Sequence, residues 1–174
     1  MAERPAQPFR IVGRDRRPCP RPAGRMGSPM TLPRVYLDAN VFITALEHVG
    51  AHSDHAWWIL RAIEAEEIIG VTSEITLAEI LVKPLEAEAT TVIAAYTDMI
   101  TPTAGFEVLE VGRALLISAA ALRSIRLPDA IHLATALAAR CSHFVTADER
   151  LHVPDGLTRL AITPFTIDDI LRPA

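Results

Sequence analysis

The sequence predicts a three-layer α/β/α domain built on a central parallel sheet. Short β-branched apolar runs alternate with segments of helical periodicity along most of the 174 residues. Acids follow two of those runs, Asp38 in VYLDANVF and Asp148 in HFVTADERL. Two more, Glu79 in SEITLAEIL and Asp129 in RLPDAIHLATAL, lie in helical segments. The carboxyl ends of parallel strands form the ligand crevice of such sheets, so acids leaving two strands can meet acids carried by neighbouring helices.

Taken in order, Val35 to Leu37 reads as the first strand and Val41 to His48 as the helix leaving it, with Asn40 at the turn. HVGAHSDH is a connection, and Ser53 is the expected N-cap of the helix carrying HAWWILRAIEAEE. Ile68 to Val71 forms the second strand, followed by a short helix around Thr76 to Val82 that Pro84 terminates. A longer helix covers Glu86 to Met99, and Phe106 to Leu109 is the third strand. Arg113 to Ser124 and Asp129 to Arg140 are further helices, the second entered through Pro128, whose fixed φ suits a first turn. His143 to Val145 is the fourth strand and Leu160 to Thr163 a candidate fifth.

Composition divides the chain into a tail, residues 1–30, and one domain, residues 31–174. The tail holds six of the thirteen prolines and seven arginines against Glu3 and Asp15, a formal charge of +5. The total of −4 therefore puts −9 on the body. A basic, proline-rich segment with few apolar residues cannot offset its ordering entropy, so the tail is expected to be disordered. Met26 and Met30 directly precede the first strand, which leaves three readings: an over-extended start, an arm that attracts phosphates by charge, or a solvated tail. Arg16 and Arg17 are followed by prolines rather than a hydrophobic stretch, so no export signal is read, and no run approaches the ~20 apolar residues of a membrane span. Cys19 and Cys141 provide no disulfide framework, and a cytoplasmic location is expected.

Singly, each acid has an ordinary explanation. Asp38 or Asn40 could cap the next helix, and Thr76 with Glu79 fits a capping box. The two roles of Glu79 separate by where its helix begins: a start at Ser73 or Glu74 puts Glu79 in the second turn, free to point into the crevice. An acid such as Asp129 is favoured in a helix's first turn, and Asp148 could initiate a turn with Glu149. Four acids at one sheet edge are harder to explain, because carboxylates about 4 Å apart repel by roughly 4 kcal/mol at an effective dielectric near 20. Either their pKa values rise or a cation sits between them. Oxygen ligands select a hard ion, Mg²⁺ or Mn²⁺. His48, His52 and His55 crowd one loop but fit no zinc spacing, and His132 is read as a packing or hydrogen-bonding residue rather than a base. Of the adjacent Trp57 and Trp58, one is expected in the core.

VYLDANVFI, SEITLAEIL, LPDAIHLATAL and FVTADERL, in this order and at these separations, resemble the PIN domain, specifically the VapC-like toxin ribonucleases of bacterial toxin–antitoxin pairs. The likeness spans about Val35 to Leu171 and leaves the tail unmatched. It implies a metal-dependent endoribonuclease that activates water to cut RNA, leaving 5′-phosphate and 3′-hydroxyl ends. Asp38, Glu79, Asp129 and Asp148 would be the catalytic and metal-binding acids, with Asn40 and Thr146 as polar support. The resemblance also implies a small antitoxin partner and a homodimer. Some members carry a hydroxyl residue where this chain has Ala39. Arg126, just before Asp129, is the candidate contact for a substrate phosphate. Two rivals are a haloacid-dehalogenase-type phosphatase, which needs a second Asp where this chain has Asn40, and a non-catalytic domain that binds RNA or a partner and uses its acids only as caps.

Overall fold

The computed structural model describes residues 31–172; the tail proposed for residues 1–30 lies outside the described residues. Five strands form one parallel sheet in the order β3-β2-β1-β4-β5: β1 (Arg34–Leu37), β2 (Ile69–Ser73), β3 (Phe106–Leu109), β4 (His143–Val145) and β5 (Thr158–Leu160). Among the described residues seven helices surround it: α1 (Ala39–Glu47), α2 (Ala51–Glu64), α3 (Glu74–Glu86), α4 (Thr90–Met99), α5 (Arg113–Ala121), α6 (Leu127–Ala138) and α7 (Thr166–Leu171). Three layers result, as expected. β2 and β4 flank β1 on opposite sides, so the order of the strands reverses beside β1 and opens a crevice at its carboxyl end.

Alternation along β1 divides the core. Val35 and Leu37 join the cluster built with Val41, Phe42, Ile59, Ile63 and Ile80, whereas Tyr36 faces Leu133, Ala136 and Phe144 beneath α6. Tyr36 stacks on Phe144 with ring centroids 5.0 Å apart, and both are fully buried. Gly70 is required by close approach: a Cβ there would lie 2.3 Å from Ile63 Cδ1 and 2.9 Å from Phe106 Cδ2, so only glycine lets α2 settle on β2. At the edge remote from the crevice Arg34 donates two hydrogen bonds to Glu107, 2.8 and 2.6 Å, and one to the Ala139 carbonyl, 2.6 Å. That fork spans from β1 to β3.

Four local expectations differ from the structure. Ser53 is not the N-cap of α2; Gly50 is, and Ser53 lies buried in the first turn, donating through Oγ to the Ala45 carbonyl at 3.0 Å. A tertiary bond to α1 therefore took the hydroxyl that a cap would have used. Pro84 does not end α3, which runs two residues further. The continuous helix from Glu86 to Met99 is instead a break followed by α4, because Glu88 takes a left-handed φ of 52°. Its N–H donates to the Leu85 carbonyl, and Ala89 N–H to Pro84, the pairing of a Schellman stop. Finally, the fifth strand begins at Thr158 rather than Leu160, and α7, the last helix among the described residues, was unforeseen.

Glu66 and Arg140 close α2 and α6 in the same way, each with a positive φ of 54°. Non-glycine residues in this conformation cost about 1 kcal/mol or more. Glu88→Gly, at an exposed position, is accordingly expected to raise stability by up to about 1 kcal/mol in urea unfolding. No gain, or a loss, would show that the Glu88 side chain makes a compensating contact.

Candidate active site

Asp38 leaves β1 at the point of strand reversal and serves as N-cap of α1. Its Oδ1 accepts the Ala39 N–H at 2.7 Å. Its Oδ2 accepts from Asn40 Nδ2 at 3.0 Å and from Thr146 Oγ1 at 2.5 Å. The capping role and a crevice role thus coexist in one nearly buried carboxylate. The Asp38 N–H also donates to the Val145 carbonyl at 3.1 Å, so the backbone extends the β1–β4 pairing up to the acid itself.

Glu79 lies in the second turn of α3, whose N-cap is Ser73, so a capping box with Thr76 does not form. The Thr76 hydroxyl bonds Thr72 Oγ1 instead, at 2.7 Å. The Glu79 carboxylate reaches the crevice, where its Oε2 lies 2.9 Å from His132 Nε2. His132 Nε2 is in turn 3.9 Å from Asp38 Oδ1. One donor atom from each of Asp38, Glu79 and His132 falls within 4.8 Å of the other two, the grouping of potential metal donors found among the described residues.

Asp129 and His132 project from one face of α6, three residues apart. The Asp129 carboxyl is pushed above the ordinary range, first by partial burial and then by the charge of Asp38, with further repulsion from Asp148 and Glu79 and partial relief from His132. All four acids therefore share one electrostatic pocket, although Asp129 and Asp148 fall outside the tight donor group. Asp148 is turned toward its own loop: its Oδ1 accepts the Arg150 N–H at 2.9 Å, which holds its pKa below the usual carboxylate value. Its N–H donates to Thr146 Oγ1 at 3.0 Å, so Thr146 links Asp38 and Asp148. Arg126 is the exposed N-cap residue of α6.

His132 is the residue whose place at the centre was not anticipated. Apart from its interval from Asp129, the sequence held little signal for it. Below it, Tyr36 Oη lies 2.8 Å from His132 Nδ1 and 3.0 Å from Ser73 Oγ, all within the core. The histidines of α2 do not join the donor group; His52 and His55 make an edge contact at 6.3 Å, and His55 sits 5.1 Å from the Trp58 ring. Trp57 packs against the core, as expected of one of the pair, and donates from Nε1 to the Ala45 carbonyl at 2.8 Å, while Trp58 is half-buried.

A family model described as the PIN domain matches residues 35–157. The chain belongs to the PIN-domain family. Its fold is VapC-like: a toxin–antitoxin complex from Klebsiella pneumoniae superposes with a TM-score of 0.50 at 24% identity, covering 75% of this chain and 97% of that one. VapBC2 from Rickettsia felis, bound to a promoter DNA fragment, gives 0.57 at 17% identity over 74% and 98%. VapC20 of Mycobacterium tuberculosis, a toxin that cleaves the sarcin–ricin loop, gives 0.51 at 16% over 63% and 86%. No curated protein sequence matches the chain. Membership of the PIN family displaces the phosphatase alternative, and no described helix is long and apolar enough to cross a membrane.

The raised Asp129 pKa gives this PIN domain a pH signature. A carboxyl whose pKa is higher folded than unfolded contributes stability at low pH, where it is protonated, and loses it as pH rises through the folded value. Metal-free Asp129→Asn is therefore expected to melt above wild type at pH 7 and to converge with it below pH 3. Thermal denaturation in EDTA across that range checks this; a variant less stable at pH 7 would contradict the repulsion.

Proposed function

We propose that this PIN domain is an endoribonuclease, the toxin of a toxin–antitoxin pair, that hydrolyses RNA phosphodiesters with Mg²⁺ or Mn²⁺. The observation that carries the reading is the convergence of Asp38 and Glu79 at the strand-reversal point, with Asp129 close enough to be repelled by both. Carboxylate oxygens suit a hard divalent ion, and the repulsion on Asp129, only partly relieved by His132, is what such an ion would offset. The donor set therefore fits.

Asp38, Glu79 and Asp129 would hold the cation, with Asp148, whose Oδ1 is engaged by Arg150, completing the pocket or holding a second ion. A divalent cation bound there supplies an activated water and charge stabilisation for the attacking and leaving oxygens of an in-line displacement. The chain's own residues supply position. Asn40 and Thr146 donate to Asp38 and leave it little rotational freedom. The net acidic body repels RNA, so exposed cations near the crevice must receive its phosphates; Arg126 and Arg150 stand on the two loops beside the acids.

Membership of the PIN family and the VapC-like fold support the toxin assignment, and the toxin–antitoxin assemblies among the structural neighbours supply the partner. The proposed antitoxin lays apolar side chains beside α2, near Trp58, and brings a basic residue to the acids; the toxin itself acts as a cytoplasmic homodimer. Residues 1–30 are proposed to be dispensable.

Full-length protein with susceptible RNA and Mn²⁺ tests the reading. Asp38→Asn and Asp129→Asn are expected to reduce cleavage by more than about 100-fold while retaining the native fold by circular dichroism. A chain beginning at Met30 should cleave as the full chain does. Wild-type cleavage by either Asn variant, or cleavage indifferent to EDTA, would overturn the metal-site assignment, and a wild type that cuts no RNA with Mn²⁺ would leave the non-catalytic reading.

A further inference from the structure

We propose that His132 is the positioning residue of this pocket: Tyr36 holds its Nδ1, and its Nε2–H is thereby directed onto Glu79. The inference rests on the reading of Glu79 as a metal ligand, and it concerns a residue outside the acid set.

Glu79 is the acid with the longest side chain of the group. It rises from the second turn of α3, with its side chain one-third exposed, whereas Asp38 is locked by three donors. Its contact with His132 is the cross-element bond that turns it toward Asp38. An imidazole can do this only if Nε2 carries the proton.

The neighbours on the other side of the ring decide that. His132 is 2% exposed and Tyr36 is fully buried, so neither can complete its bonding with solvent. The Tyr36 phenol carries its proton at neutral pH, so its O–H is available as a donor to the ring. For a neutral imidazole, one ordering satisfies every atom: Ser73 Oγ–H donates to Tyr36 Oη, Tyr36 O–H to His132 Nδ1, and His132 Nε2–H to Glu79 Oε2. The reverse ordering would set an Nε2 lone pair against a carboxylate oxygen 2.9 Å away. Tyr36 and Asp38 alternate onto the same side of β1, so the strand that delivers the first acid also delivers the group that orients the second. The same atom, Nε2, lies within reach of a cation shared by Asp38 and Glu79, so a competing arrangement exists in which His132 is itself a ligand.

Three measurements on the full chain decide the matter. In metal-free, ¹⁵N-labelled protein at pH 8, the His132 ring nitrogens should report a proton on Nε2 and none on Nδ1; a proton on Nδ1, alone or with Nε2, overturns the proposal. Mn²⁺ affinity by titration calorimetry should fall about 10- to 100-fold in His132→Leu and be largely restored in His132→Gln, whose amide can reach Glu79. Equal affinity in all three proteins overturns it. Pulsed electron paramagnetic resonance of the Mn²⁺-loaded wild type should show no directly coordinated imidazole nitrogen, and a nitrogen coupling lost in His132→Gln would make His132 a ligand and overturn it too. RNA cleavage enters none of these readouts, so a failed nuclease reading and a failed His132 role are distinguishable.

Discussion

Asp38 occupies the one place where the chain reverses the order of its strands, and its carboxylate is nearly buried there. A carboxylate in that setting costs several kcal/mol unless its oxygens are satisfied. Three donors do so: the Ala39 N–H, the Asn40 carboxamide and the Thr146 hydroxyl. Two come from the turn that follows β1, and the third comes from the end of β4. The acid therefore clamps the two central strands at their carboxyl ends while keeping one edge toward the crevice. Much of the surrounding design follows from accommodating it, since α3 and α6 bring their polar residues to the same edge while burying apolar ones behind it.

The crevice carries more negative charge than its own hydrogen bonds relieve. Asp148 accepts from Arg150 and Glu79 bonds to His132, but the Asp129 carboxyl is pushed upward, first by partial burial and then by the charge of Asp38. A domain that used these acids only as helix caps would gain nothing from bringing them together. The repulsion is a stability cost in the metal-free protein and a source of cation affinity in the loaded one.

Much of this was legible in the sequence, because most strands are short apolar runs, and Asp38 and Asp148 lie at or just beyond the ends of two of them. β3 and β4 were read with their observed bounds, and β1 differs by one residue. The position of Glu79 followed from a conditional argument that the helix start at Glu74 resolved. What escaped was tertiary in origin. Glu66, Glu88 and Arg140 adopt left-handed φ without being glycine, so three helix stops carried no local mark. Ser53 gave its hydroxyl to α1 instead of capping α2. His132 was correctly read as a hydrogen-bonding residue, yet its partners lie far off in sequence, Tyr36 on β1 and Glu79 on α3, and no periodicity announces such a meeting.

The central claim is that this pocket is a cation site, and a crystal of the full chain grown with Mn²⁺ tests it most directly. Anomalous scattering should place an ion about 2 Å from carboxylate oxygens of Asp38 and of Glu79 or Asp129. A map without density in that crevice at saturating Mn²⁺, or with an ion only beside His52 and His55, would contradict it.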